Sequence, residues 1–130
     1  MSDFKISYKG DLSTELIHLA SKSKILTDAP IDNQGLGRTF SPTDLVASSL
    51  GSCMLTIIAI ASNTNSIKID AMDAEVSKIM SKKMPRKISQ IDIIIIIKGI
   101  FSDKEKKIIS RSASNCPVHH SLSEDMEINL

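Results

Sequence analysis

The chain has 130 residues, 42% of them hydrophobic and 24% charged, with 16 basic side chains against 15 acidic ones. That length suits one domain, residues 1–130, able to bury about two-thirds of the surface its unfolded form exposes. The opposite charges are interspersed and nearly cancel, so there is no basic footprint for phosphates, and nucleic acid is not an expected partner.

The first residues, Met1-Ser2-Asp3-Phe4-Lys5, lack the charged and apolar blocks of a secretory signal. A cytoplasmic protein is therefore expected, in which a permanent disulfide would tend to be reduced. Phe4 to Tyr8 alternates apolar with polar residues, Lys9-Gly10-Asp11 supplies turn chemistry, and Leu12 to Leu19 alternates again, which predicts a β-hairpin. Lys24 to Thr27 predicts a third short strand. From Asp28 to Thr39 the composition shifts to Asp, Pro, Asn, Gln and Gly, with Pro30 against regular structure and Gly35 and Gly37 permitting unusual backbone angles.

A helix start follows: Ser41 suits the N-cap, Pro42 the first helical position, and Asp44 can reach back as a short capping box. The helix is predicted from Pro42 to about Ser62, with small residues in its first turns and Met54, Leu55, Ile57, Ile58 and Ile60 later, a pattern expected to be buried nearly all round. The uncharged stretch from Leu45 to Ile67 could cross a bilayer by length alone. Its serines, threonines and asparagines interrupt it too often, so a core helix is expected and no membrane association.

Alternation returns from Ile67 to Met80 and again from Ile88 to Ile100, with Lys82-Lys83-Met84-Pro85-Arg86 as the turn between two strands. The β-branched run Ile93 to Ile97 is too continuous for a strand with one wet face and predicts cover on both sides. Ser102-Asp103-Lys104-Glu105 is a second capping-box start, for a helix to about Ala113 with Ile108 and Ile109 as its stripe. A short helix is predicted to begin at Cys116 or Pro117, and Met126 to Leu130 a last edge strand. The sum is an α+β domain: N-terminal antiparallel strands, a long buried central helix, a second hairpin and C-terminal helices.

The chemistry centres on Cys53, inside the long helix, and Cys116, in Asn115-Cys116-Pro117. They can be a redox pair, a structural disulfide, inert core thiols or part of a metal site. Cys53 lies about three turns into its helix, beyond reach of the helix dipole, so a cation from another segment must activate it. Arg38 is the nearest candidate in sequence, ahead of Arg86 and Arg111. Cys116 sits where backbone N–H groups at a helix start favour a thiolate. With His119 and His120 it also forms Cys-x-x-His-His, which Cys53 could complete as a zinc site, although structural zinc sites usually show paired ligands at both ends. Glu15, Asp28, Asp32 and Asp44 are candidate orienting carboxylates, of which Asp44 already has a capping role. No Ser/His/Asp arrangement, phosphate loop or dinucleotide fingerprint has its required context.

Two segments, Phe40-Ser41-Pro42-Thr43-Asp44-Leu45 on through Gly51-Ser52-Cys53-Met54, and Asn115-Cys116-Pro117-Val118-His119-His120-Ser121-Leu122, resemble the OsmC/Ohr family of osmotically inducible and organic hydroperoxide resistance proteins. The resemblance implies an intertwined homodimer with two active sites at the subunit interface. It implies that Cys53 is the peroxidatic cysteine and Cys116 the resolving one in the reduction of organic hydroperoxides. It also implies an external dithiol as reductant and no metal or organic cofactor. The hydroperoxide-resistance branch carries a Glu directly after the helix-opening Pro, holding an Arg against the thiolate. Here that position is Thr43, and Asp44 points about 100 degrees away. The chain thus resembles the broader OsmC-like branch, with Arg38 the candidate activating arginine, acting within a subunit or across the dimer.

Overall fold

The computed structural model describes Met1–Leu130 and divides into two units, Met1–Leu45 and Val46–Leu130. In the first, β1 (Phe4–Gly10), β2 (Ser13–His18) and β3 (Lys24–Asp28) form an antiparallel sheet in that order. The hairpin closes on Asp11 and Leu12, both at positive φ, 53° and 60°. Such a two-residue turn matches the right-handed twist of its strands, so Leu12 belongs to the turn and not, as its apolar character suggested, to the second strand. The register Ile6↔Leu16↔Ile25 puts the alternating apolar residues on one face. On that face Phe4, Ile6, Tyr8 and Ile25 are exposed.

The loop after β3 contains a 3-10 turn at Ile31–Asn33 and is wound tightly onto its own start: Gly35 N–H donates to Pro30 C=O and Gly37 N–H to Ala29 C=O. Gly35 is required here by proximity. A Cβ at that position would lie 1.7 Å from the Ala29 carbonyl oxygen.

Helix α1 (Pro42–Thr64) begins as expected, two residues longer than predicted at its far end. Ser41 N–H donates to the Asp44 carboxylate at 2.9 Å and Asp44 N–H to Ser41 Oγ at 3.1 Å, a reciprocal box in which Asp44 replaces the usual longer acid. In the second unit β4 (Ala71–Met80), β5 (Ile88–Lys98) and β6 (Glu127–Asn129) form a sheet in chain order, β4 antiparallel and β6 parallel to β5. Asn129 Nδ2 donates to Asp92 Oδ1 at 2.7 Å and ties β6 to the strand it edges. Helix α2 (Asp103–Ala113) starts with the full capping box between Ser102 and Glu105, and α3 (Pro117–Ser121) follows with Cys116 as its N-cap.

Within one chain the two apolar elements are covered on one side only. The helix is apolar all round but buries one stripe, Ala47, Leu50, Gly51, Met54, Ile58 and Ser62, while Val46 and Ile60 are exposed. Likewise Ile91 and Ile93 are buried, but Ile94 and Ile96 on the other face of β5 are open at 60% and 47% exposure. The reason is shared: this unit supplies a single layer on the sheet's inner face and nothing on its outer one, so apolarity on two sides exceeds what the chain alone can cover.

The main core joins Ala47, Leu50 and Met54 of α1 to Ile88, Ile91 and Ile93 of β5 and to Cys116. Close approach of helix and sheet is allowed by Gly51, where a Cβ would come within 2.7 Å of Val76 Cγ2. A second cluster gathers Ile58, Ile67, Ile109 and Ala113. Met54 is fully buried. Met54→Ala is expected to cost about 2–5 kcal/mol through lost transfer energy and a residual cavity, read as a lower denaturant midpoint; a midpoint within error of wild type would show that this core can collapse around the gap.

Candidate active site

Cys53 and Cys116 lie far apart in sequence and come together because α1 lays its buried stripe on β5 while α3 packs its start against the same cluster. Both thiols are free; Cys53 is half-buried and Cys116 has no exposed surface. Cys53 packs against the core cluster that contains Cys116, close enough for the two thiols to interact electrostatically. Leu50, Met54, Ile57, Val76, Val118 and Leu122 belong to the same apolar cluster.

As the N-cap of α3, Cys116 Sγ accepts from the His119 N–H at 3.3 Å. The N-cap position is the one read from Pro117, but its expected acidifying effect is outweighed. Burial pushes the Cys116 thiol up, the His119 N–H opposes it, and the neighbouring Cys53 thiol adds to the upward shift. Desolvation of an anion exceeds what one or two backbone donors return. Burial therefore favours the neutral Cys116 thiol over its thiolate.

The two histidines stack with ring centroids 6.1 Å apart. His120 Nε2 is paired with Asn115 Oδ1, and His119 Nδ1 is buried without a partner. No group of three or more His, Cys, Asp or Glu side chains is arranged to hold a metal ion, so Cys116, His119 and His120 are not gathered with Cys53 as a zinc set.

Arg38 lies in the first unit, where it is fixed. Its Nε and Nη2 donate to Asp28 Oδ2 and Oδ1 at 2.7 and 3.0 Å, and its backbone N–H donates to Oδ2 at 2.8 Å. The pairing is a bidentate fork, the geometry in which an arginine loses least freedom per bond. Of the four carboxylates singled out in the sequence, Asp28 is the one that orients Arg38. Asp44 caps its helix, and Glu15 pairs with Lys9 at 3.9 Å. Asp28 is buried while the Arg38 side chain remains 57% exposed. Its choice among the four was not readable in sequence, because a ten-residue loop must fold back before the pair meets.

The Arg38 side chain holds the Asp28 carboxyl down at about 2, against desolvation that pushes the other way, with the Arg38 N–H and charge assisting. Because the folded value lies below the unfolded one, this contribution is complete above pH 4 and is lost as pH falls toward about 2. Asp28→Asn is expected to flatten that part of the stability profile, measured by urea midpoints between neutral and acid pH. An unchanged acid limb would exclude Asp28 as its source.

A family model for OsmC-like proteins matches residues 35–130. Among solved structures, a Psychrobacter arcticus protein provisionally described as an osmotic stress induced and detoxification response protein is 46% identical, with a TM-score of 0.93 over 99% of this chain and 93% of that one. An organic hydroperoxide resistance protein OsmC from Legionella pneumophila shares the fold at 13% identity, TM-score 0.78, over 98% and 92% of the two chains. The organic hydroperoxide resistance protein OhrB of Bacillus subtilis shares it at 16% identity, TM-score 0.71, over 98% and 95%. No curated protein matches the sequence.

Proposed function

The chain belongs to the OsmC-like protein family, and we propose that it works as a thiol-dependent peroxidase reducing organic hydroperoxides. The observation that carries this reading is the adjacency of the Cys53 and Cys116 thiols inside one apolar cluster. Similar folds named for organic hydroperoxide resistance support it.

In this reading the Cys53 thiolate attacks the terminal oxygen of the O–O bond. The bond breaks, the alkoxide takes up a proton and leaves as alcohol, and Cys53 becomes a sulfenic acid. The sulfur of Cys116 then attacks that of Cys53. Its own proton departs with the sulfenic hydroxyl as water, and an S–S bond remains. An external dithiol restores both thiols by exchange, its two sulfurs ending as a disulfide. No metal or organic cofactor takes part.

Arg38 is the activating cation of this reading, with Asp28 in the orienting role that the hydroperoxide-resistance branch gives to the Glu missing at Thr43. Three of the guanidinium's five N–H groups remain outside the two side-chain bonds to Asp28, a donor capacity that suits an anion. The protein acts as a cytoplasmic homodimer, which covers the apolar surfaces on Ile94, Ile96 and the first sheet that one chain leaves open. The apolar walls favour alkyl and aryl hydroperoxides over hydrogen peroxide.

The test is consumption of cumene hydroperoxide with dithiothreitol or dihydrolipoamide. The reading expects catalytic turnover, faster with cumene hydroperoxide than with hydrogen peroxide. A protein that reacts once with hydroperoxide and is not recycled by any dithiol would instead be a redox sensor, a role that Thr43 in the glutamate position would favour.

A further inference from the structure

Each α-helix of this chain opens on an N-cap whose side chain accepts from the N–H three residues on: Ser41 from Asp44, Ser102 from Glu105 and Cys116 from His119. In the first two the later residue returns the bond. The Ser41 N–H donates to Asp44 Oδ2 at 2.9 Å and the Ser102 N–H to Glu105 Oε1 at 2.9 Å, which closes each box. The third box is open. His119 Nδ1 occupies the same branch of its side chain as the Asp44 oxygen, yet it is buried and has no hydrogen-bond partner. Buried polar atoms in folded proteins are nearly always paired, so an exception calls for a reason.

A side chain three residues after an N-cap reaches back toward it, so the donors that this placement offers His119 Nδ1 are those of Cys116, its N–H and its thiol. The thiol sulfur already accepts the His119 N–H at 3.3 Å. Cys116 has no exposed surface, so bulk water does not reach its proton, and burial favours the neutral thiol. Disulfide formation must still remove that proton. Of the groups acting on the thiol, the titratable one from another element is Cys53 of α1, and neither imidazole is held in an ion pair. His120 stacks on the His119 ring and is itself committed to Asn115. We propose that His119 is the general base of disulfide closure: Nδ1, an acceptor when the ring proton is on Nε2, takes the thiol proton as Cys116 Sγ attacks the sulfur of Cys53. The contact is unmade in the reduced protein and forms along the reaction, as a general base's hydrogen bonds often do. With a sulfenic acid on Cys53, the Cys116 S–H and Cys53 S–O bonds break and the S–S bond forms. The imidazolium returns its proton to the departing hydroxide, water leaves, and the ring is neutral again. This role rests on the pairing of Cys53 with Cys116 in the proposed function.

One equivalent of dithiodipyridine, an aromatic disulfide, tests the role without any hydroperoxide. Cys53, the more exposed thiol, attacks first, releases one thiopyridone and becomes a mixed disulfide. Cys116 then displaces the second thiopyridone from Cys53, and the thiol proton ends on that leaving group. Stopped-flow absorbance resolves the two phases in wild type, His119→Asn and His120→Asn. Asparagine keeps a polar atom on the same branch and removes the base, and circular dichroism checks that the variant folds. At neutral pH His119→Asn is expected to slow the second phase by about a hundredfold or more. The wild-type second phase levels off above about pH 8, where an imidazole is neutral. That of His119→Asn keeps climbing by about tenfold per pH unit, since only the thiolate then reacts. His120→Asn keeps the wild-type second phase. A second phase equally fast in His119→Asn, one slowed by the same factor at every pH, or one slowed as much by His120→Asn would each overturn the proposal. A wild-type protein that releases a single thiopyridone and remains a mixed disulfide would overturn it together with the cysteine pairing, which separates failure of the wider reading from failure of the base.

Discussion

Cys53→Ser is expected to reduce hydroperoxide turnover to background, a loss of roughly four or more orders of magnitude when the nucleophile itself is removed. Serine differs little in volume, and Cys53 is half-buried, so the fold should persist. Cys116→Ser is expected to behave differently. It keeps a first, rapid reaction with one equivalent of hydroperoxide, leaves Cys53 as a sulfenic acid that dimedone can trap, and loses steady-state turnover because no disulfide forms for the dithiol to reduce. Stopped-flow measurement of the first turnover beside the steady-state rate separates the two roles. Equal loss in both variants at the first turnover would assign the attack to neither thiol alone. Full activity in Cys53→Ser would remove the proposed chemistry altogether.

Gly35→Ala is expected to be among the most damaging single-methyl additions in the first unit. The added Cβ would overlap the Ala29 carbonyl oxygen at 1.7 Å, and backbone on the other side of the contact cannot move away as a flexible side chain could. To accept the methyl, the loop must break the bonds from Gly35 to Pro30 and from Gly37 to Ala29. A cost of about 1–3 kcal/mol or more is expected, seen as a lower urea midpoint. The same loop carries Arg38 to Asp28, so peroxidase rate should fall with it, while Ala at the exposed neighbouring position Gln34 should leave the Arg38–Asp28 pair intact. A wild-type midpoint for Gly35→Ala would mean that the loop relaxes without penalty.

Much of the architecture was legible because local signals agreed with one another. The reciprocal cap at Ser41 and Asp44 and the second box at Ser102 and Glu105 each marked a helix start, and the proline after Cys116 placed a third to within one residue. Strand ends were less certain: alternation from Ile67 onward suggested a strand, but Ser66 adopts φ 55° and β4 begins only at Ala71. Burial was legible as a need for cover, and not as the share of it that one chain supplies. Continuous apolar sequence in α1 and β5 says that two faces avoid water, and does not say that one chain covers both.

The candidate site was legible in part. The two cysteines stood out by residue type, and they meet in the cluster that Leu50, Met54 and Ile91 also form. The acidity of Cys116 was not legible, since the local cap predicts a lowered pKa and only the assembled core reveals the stronger opposing effect of burial. Nor could sequence distinguish Asp28 from Asp32 or Glu15 as the partner of Arg38. That depends on how the loop between residues 29 and 37 closes.

The most direct measurement is a peptide map, without reductant, of fully reduced protein treated with one equivalent of cumene hydroperoxide. Reduction by the cysteine pair predicts a linked peptide joining Cys53 to Cys116, formed together with one equivalent of alcohol and absent from either serine variant. Two unlinked thiols beside intact hydroperoxide, or hydroperoxide consumed with both cysteines still reduced, would contradict it.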